Sequence, residues 1–112
     1  MRKINRLLLN SDFSRVLNEG FKIRDDSFLV AIKSNQEGHL RAGISVSRKV
    51  GDAVVRARIR RQVRAMIGGM DLKSTPIDLV IIPKSGFLKR SFQENSKRLE
   101  SALTVYNNRR TK

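Results

Sequence analysis

The pattern of apolar and polar positions predicts a short helix near the beginning of the chain. Apolar residues recur at helical spacing after three polar residues, 10–12, whose side chains are suited to capping a first turn. Gly20 follows them and is suited to the left-handed conformation in which many helices end. We therefore expect a helix over residues 11–19.

Alternation of apolar and other residues predicts extended structure in the next two segments. Residues 21–33 alternate except at Asp25-Asp26, where we expect a bulge, a bend or a division into two strands. Residues 40–47 alternate again after the turn-forming residues 34–39. The simplest pairing of these two segments is an antiparallel hairpin.

The second half of the chain predicts a helix, a strand and a helix. Residues 53–68 have helical periodicity and end at two glycines. The apolar run 77–82, closed by Pro83, suits a central strand that is buried on both faces. Ser91 and Glu94 form a capping box that opens the last helix. The apolar face of that helix comprises Phe92, Leu99, Ala102, Leu103 and Tyr106.

This order of elements predicts an α+β fold arranged as a two-layer sandwich. The length of 112 residues fits one domain, 1–112, and we expect a basic, flexible tail from about residue 107. The absence of Cys excludes disulfide scaffolds and Cys-ligated zinc. Residues 7–9 are the longest apolar run near the basic start, too short for a signal peptide or membrane span, so we expect a soluble, cytoplasmic protein.

The net charge of the chain indicates the kind of partner that it binds. The chain has 24 Lys and Arg against 10 Asp and Glu, a formal net charge of +14, which favours nucleic acid, an anionic membrane or an acidic protein as partner. Arg48 and Lys49 precede the helix 53–68. The apolar stripe of that helix has no Trp or Phe, and the lack of these residues disfavours binding to a membrane surface. Arginine binds phosphate oxygens in pairs, so nucleic acid is favoured over a merely solvated basic face. The face opposite the apolar stripe carries Arg56, Arg58, Arg60, Arg61 and Arg64.

Candidate catalytic chemistry is sparse by comparison. The single histidine, His39, lies among turn-forming residues, and no acids have the spacing of an acid–base pair or a two-metal site. We therefore expect no catalytic residue and no metal ligand in this chain. Two roles are open for Phe13. It is either a core anchor of the first helix or a ring that stacks on a base of single-stranded RNA.

Residues 43–64 resemble the signature of the bacterial ribonuclease P protein family. They read GISVSRKVGDAVVRARIRRQVR, and the family pattern is roughly G-[LI]-S-V-[SA]-[KR]-K, a short spacer, and A-x-x-R-N-R-[IL]-K-R-x-x-R. Segments 5–7, 12–13 and 78–82 agree as well, so the resemblance covers nearly the whole chain.

The resemblance implies both a fold and a function. The fold is α-β-β-β-α-β-α, like the second domain of ribosomal protein S5, with a left-handed βαβ crossover. The function is that of the protein subunit of an endonuclease in which a catalytic RNA binds Mg²⁺ and removes the 5′ leader of precursor tRNA. The protein then binds the catalytic RNA and the leader, and neither a membrane nor DNA.

Matching positions carry the family's binding residues onto this sequence. The five arginines fall on its RNA-binding basic helix, and Arg48 and Lys49 fall on its RNA-binding turn. Ala57 stands where the family has Asn, Leu17 where many relatives have a second aromatic, and Ala31 at a position that can be Tyr. These departures predict fewer stacked bases and a larger share of leader affinity from charge. The leader-cleft positions are Phe13, Leu17, Ala31 and Ala57.

Three other functions stay open from the residues alone. A ribosomal or assembly protein that binds RNA without any role in cleavage would share the charge. A stand-alone nuclease is disfavoured because the sequence offers no cluster of His or acids. A DNA-binding helix-turn-helix protein is disfavoured because its recognition helix follows a partner helix across a short turn, whereas the basic helix here follows a predicted strand.

Overall fold

The structure, a computed structural model, describes residues 5–6 and 9–110, and of residue 110 only the backbone. Predictions for the basic start, for residues 7–8 of the apolar run and for residues 111–112 of the tail lie outside the described residues. The elements are α1 (Asn10–Glu19), β1 (Phe21–Arg24), β2 (Phe28–Ser34), β3 (Arg41–Ile44), α2 (Ala53–Gly68), β4 (Ile77–Pro83), a 3-10 helix (Ser85–Lys89) and α3 (Phe92–Arg110). This is the expected α-β-β-β-α-β-α order.

The four strands form one mixed sheet in the order β1-β2-β4-β3. The pairs β1–β2 and β2–β4 are antiparallel, whereas β3 runs parallel to β4 and reaches it through α2. The predicted central strand is confirmed, because β4 lies between two neighbours and is buried at all but one of its positions. The left-handedness of the crossover stays a prediction.

The predicted hairpin between residues 21–33 and 40–47 is wrong. The chain turns at Asp25, whose Oδ1 accepts hydrogen bonds from the backbone N–H of Ser27 at 2.8 Å and of Phe28 at 3.1 Å. The first segment therefore folds on itself as β1 and β2, and β3 pairs with β4 at the far edge. Alternation identifies a strand, but it does not identify the strand's partner.

Helices lie on both faces of the sheet because successive strand residues point to opposite sides. The larger core lies under α2 and α3, and a smaller cluster of Val16, Ala31 and Val80 lies under α1 on the other face. The expected sandwich of sheet and helices is present, and α1 adds a partial cover to its second face. The larger core includes Phe28, Val30, Ile32, Ile59, Val63, Leu79, Ile81, Phe87, Leu99 and Tyr106.

The ends of α1 differ from the prediction. The helix begins after Leu9 with no side-chain cap. Gly20 is extended, at φ −76° and ψ 164°, rather than left-handed. Glycine is required there by space, since a Cβ would lie 2.5 Å from the carbonyl oxygen of Val16 and 2.9 Å from that of Ile32. The close approach of α1 to β2, and not a turn conformation, accounts for this glycine.

The ends of α2 and the beginning of α3 follow the prediction. Gly69 caps the end of α2. The capping box is confirmed, with Ser91 N–H donating to Glu94 Oε1 at 2.9 Å and Glu94 N–H donating to Ser91 Oγ at 3.1 Å. α3 continues to Arg110, so residues 107–110 of the predicted tail are helical, and the flexibility of the tail stays a prediction. Phe92 is 38% exposed and does not join the apolar face of α3.

Candidate nucleic-acid interface

The basic face of α2 is built by the register of its apolar residues. Ile59, Val63, Met66 and Ile67 are buried against the sheet, which fixes the rotation of the helix about its axis. The opposite side then faces outward. Of its five arginines, Arg58, Arg61 and Arg64 are exposed and Arg56 and Arg60 are half-buried. The structure thus brings all five predicted residues onto one helix and one outer surface, which we call the arginine face.

The arginine face is not neutralised by acids. Within the described part of the chain, the ion pairs to Asp and Glu come from Arg15, Lys33, Arg41, Arg90 and Arg98, and none comes from α2. The acid nearest in sequence, Asp52, caps α2 by accepting a hydrogen bond from Val55 N–H at 3.0 Å. Repulsion between arginines four residues apart costs roughly 0.2–0.5 kcal/mol per pair, so the helix carries a strain that an anion would relieve.

The turn before α2 presents two more cations. Its backbone is closed by Val50 N–H, which donates to Ser47 O at 3.0 Å, and by Lys49 N–H, which donates to Ser47 Oγ at 3.2 Å. Arg48 and Lys49 are both exposed on this turn. They therefore continue the uncompensated positive charge of the arginine face toward the sheet.

Three of the four predicted leader-cleft residues come together under α1. Phe13 and Leu17 are half-buried and pack against the small cluster that contains Ala31, which is 0% exposed. Phe13 therefore serves as a core anchor and is still partly exposed to solvent. Ala57 does not join this group, because it is exposed on α2, which packs on the other face of the sheet.

A ring of four alternating charges, absent from the sequence-based site, connects one end of α1 to the sheet. Arg41 binds Asp78 with two hydrogen bonds, Nε to Oδ1 at 2.9 Å and Nη2 to Oδ2 at 2.8 Å. Arg15 lies 2.9 Å from Asp12 and 3.6 Å from Asp78, and Arg41 lies 3.6 Å from Asp12. We call these four residues the charge ring; it connects α1 to β3 and β4.

Asp78 is the buried member of the charge ring, with a side chain that is 1% exposed. Burial alone would raise the pKa of its carboxyl, but hydrogen bonds from Arg41 and Asn35 outweigh that effect and lower the pKa. The same contact raises the pKa of the Arg41 guanidinium. The only signal in the sequence was an acid placed inside an otherwise apolar strand.

The described residues offer no assembled metal-ligand set. Across residues 5–6 and 9–110, no three His, Asp or Glu side chains lie close enough together to hold an ion. His39 directs Nδ1 to within 3.0 Å of the carbonyl oxygen of Leu40. In the same part of the chain, no helix has the length and apolar character needed to cross a membrane.

Comparison with known sequences identifies relatives of this chain. A family model described as Ribonuclease P matches residues 1–107. The ribonuclease P protein component of Mesoplasma florum is 36% identical over 100 residues, covering 87% of this chain and 90% of the relative. The ribonuclease P protein component of Bacillus velezensis is 36% identical over 101 residues, covering 89% of this chain and 87% of the relative.

Solved structures agree with the sequence comparison. A mutant of the Staphylococcus aureus RNase P protein with defective mRNA degradation activity superposes with a TM-score of 0.82 at 28% identity, covering 94% of this chain and 90% of that one. The RNase P protein of Thermotoga maritima superposes with a TM-score of 0.74 at 30% identity, covering 88% of this chain and 94% of that one. The chain therefore belongs to the bacterial ribonuclease P protein family, whose members are the protein subunit of a tRNA-processing ribonuclease.

Proposed function

We propose that this chain binds the catalytic RNA of ribonuclease P through the arginine face and the turn that carries Arg48 and Lys49. In the same complex, the partly exposed surface where α1 meets the sheet holds the 5′ leader of precursor tRNA. We call this surface, formed by Phe13 and Leu17 above the buried Ala31, the leader cleft. The catalytic RNA hydrolyses the phosphodiester bond, and the protein assists by holding both RNA segments.

The observation that carries this proposal is the segregation of charge. The acids that form ion pairs in the described chain bind some of the cations on α1, the strands and α3, whereas none of these acids lies within ion-pair distance of an arginine of α2. A surface that served only solubility would gain stability from interspersed acids. Guanidinium groups instead bind phosphate oxygens bidentately and release counterions from RNA, so the repulsion on α2 becomes affinity when RNA binds.

The leader cleft supports the second part of the proposal. The partly open ring of Phe13 offers a π-face to one unstacked base, which is the usual mode of recognition for single-stranded RNA. Leu17 lines the remainder of the cleft without adding a second ring, and Ala31 lies buried beneath it. The cleft is thus suited to one stacked base, and the rest of the leader affinity would come from charge.

The proposal assigns Mg²⁺ to the catalytic RNA, as the family resemblance implies. The metal would activate water and stabilise the charge that develops on the scissile phosphate. The clustered carboxylates of this chain are engaged otherwise: Asp12 and Asp78 bind Arg15 and Arg41, and Asp25 binds Arg98. The residues of the protein hold RNA in this scheme and transfer no proton.

Reconstitution tests the proposal directly. The purified chain is mixed with its cognate catalytic RNA and precursor tRNA at low Mg²⁺, where phosphate repulsion limits the RNA alone. We expect faster cleavage with the protein, together with tighter binding of precursor tRNA than of mature tRNA. Cleavage no faster than with the RNA alone contradicts the assisting role, and equal affinity for both tRNAs contradicts the leader cleft.

A further inference from the structure

The sheet face under α1 is crossed by rows of side chains that the strand register defines. Directly paired residues on neighbouring strands lie on the same face, so each row runs from β1 or β2 across to β4 and β3. Residues two apart on one strand share that face, so they belong to successive rows. The row at the hairpin end contains Arg24, Leu29 and Ile82. The middle row contains Lys22, Ala31, Val80 and Gly43. The row at the opposite end contains Lys33, Asp78 and Arg41.

The row at the opposite end is electrically neutralised. Arg41 and Asp78 belong to the charge ring, and Lys33 Nζ lies 3.5 Å from Glu19 Oε1 at the end of α1. The middle row lies beneath α1, where Lys22 Nζ donates to the carbonyl oxygen of Leu17 at 2.7 Å and thus satisfies the end of that helix. In these two rows, each cation binds a carboxylate or a backbone carbonyl oxygen.

The row at the hairpin end is different. Arg24 is exposed, and Leu29 and Ile82 are only half-buried, so α1 leaves this row open. The two acids that follow Arg24 in sequence are bound elsewhere, Asp25 to Arg98 at 2.8 Å and Asp26 to Arg90 at 2.9 Å. Among the described residues, Arg24 has no ion-pair partner.

The topology places this open row at the same end of the sheet as the turn with Arg48 and Lys49, although β1 and β3 are opposite edge strands. β1, β3 and β4 run in one direction, so their carboxyl ends lie at the same end of the sheet. Arg24 ends β1, and the turn with Arg48 and Lys49 follows the carboxyl end of β3. Uncompensated charge therefore lies at one end of the leader cleft and compensated charge at the other.

From this asymmetry we infer that Arg24 is a further leader-binding residue, and that the leader leaves the cleft over the row of Arg24, Leu29 and Ile82. The inference rests on the proposed function, since it assumes a leader in the cleft. The guanidinium binds a backbone phosphate, and the two half-buried aliphatic side chains support the adjoining sugar or base. A polyanion is favoured at this end and not at the neutralised end.

The test compares Arg24→Ala with Lys97→Ala in the reconstituted holoenzyme. Lys97 is a matched control, because it is exposed, lies on α3 on the other face of the sheet, and has no ion pair among the described residues. Affinity is measured across a salt series for precursor tRNAs with leaders of increasing length and for mature tRNA. Arg24→Lys keeps the charge, and circular dichroism confirms that each variant is folded.

We expect Arg24→Ala to weaken precursor binding roughly two- to fivefold, as for a solvent-exposed charge contact. The log–log salt slope should fall by about 0.7, the value for one phosphate of a single strand. Arg24→Lys should keep the slope, and mature tRNA and Lys97→Ala should show no change.

Two results overturn the inference. Unchanged precursor affinity in Arg24→Ala, with leader preference intact in the wild type, rejects the role of Arg24 and leaves the proposed function standing. An equal loss on mature tRNA places Arg24 on the tRNA body or the catalytic RNA. If the wild-type holoenzyme itself does not distinguish precursor from mature tRNA, the proposed function fails first.

Discussion

Replacing Asp78 by Asn removes one charge from the ring that connects α1 to the sheet. Asp78 is 1% exposed and receives two hydrogen bonds from Arg41 and one, at 2.9 Å, from Asn35 Nδ2. The substitution keeps the shape of the side chain and an oxygen for Asn35. Among the described residues, it leaves the guanidinium of Arg41 with Asp12, at 3.6 Å, as its one remaining ion-pair partner.

The expected loss of stability follows from the burial of these groups. Removing one partner of a fully buried ion pair costs about 3–5 kcal/mol. Arg41 keeps 20% of its side chain exposed, so water partly solvates the remaining charge. One hydrogen bond to the Asn oxygen also survives, and we therefore expect a loss of about 2–3 kcal/mol in the free energy of unfolding.

The pH dependence of this loss has a definite sign. The pKa of Asp78 is lowered from its ordinary value of 3.8, so its stabilisation is fully present above that pH and disappears as the pH falls through the folded value. The difference between wild type and Asp78→Asn should therefore be full at neutral pH and shrink in acid.

Chemical denaturation followed by circular dichroism, at neutral pH and below pH 3.8, measures both quantities. Glu100→Gln is the control, because Glu100 is exposed and its side chain forms no ion pair within the described chain. A variant as stable as the wild type at neutral pH would refute the stabilising role of the ring. A deficit that persists undiminished in acid would show that packing, and not charge, is responsible.

Three further outcomes are expected. Joint replacement of Arg60 and Arg61 by Ala should lower the log–log salt slope for binding the catalytic RNA by roughly 1–2, at about 0.7–0.9 per phosphate, and an unchanged slope would remove these side chains from the interface. Gly20→Ala should destabilise the fold by about 1–3 kcal/mol in denaturant titrations, because its Cβ meets two carbonyl oxygens. Gly68→Ala is the matched control for Gly20→Ala: its Cβ meets nothing within 4 Å, so the variant should be neutral or stabilising by up to about 1 kcal/mol. Leu17→Phe should tighten precursor binding by about fivefold, with mature tRNA unaffected, since stacking contributes roughly 1–3 kcal/mol per base, and equal affinity in both proteins would contradict a base at that position.

Local patterns predicted the elements that local forces determine. The helix 53–68 and its arginine face follow from residue spacing, and the capping box of Ser91 and Glu94 is a contact between residues three apart. The apolar run 77–82 predicted a strand buried on both faces, and β4 is that strand. In each case the element is stabilised by contacts between neighbours along the chain or by burial of a contiguous segment.

Predictions failed where the partner of a segment lies far along the chain. Alternation in residues 40–47 predicted a strand, yet β3 pairs with β4 across α2 instead of with the preceding strand. The sequence predicts a left-handed helix C-cap at Gly20, whereas the close approach of α1 to β2 is what requires a glycine there. Neither contact leaves a local signal, because both depend on how complete elements pack.

The sequence by itself determined the family, the order of elements and the basic helix, because twenty-two contiguous residues, 43–64, carry motif, periodicity and charge together. Only the tertiary structure decided which cations remain uncompensated. Asp12 and Asp78 neutralise Arg15 and Arg41 across three elements, and charge interactions fall off with distance, so pairing depends on packing and not on spacing along the chain. The same packing leaves Arg24 and the arginine face free for an anion.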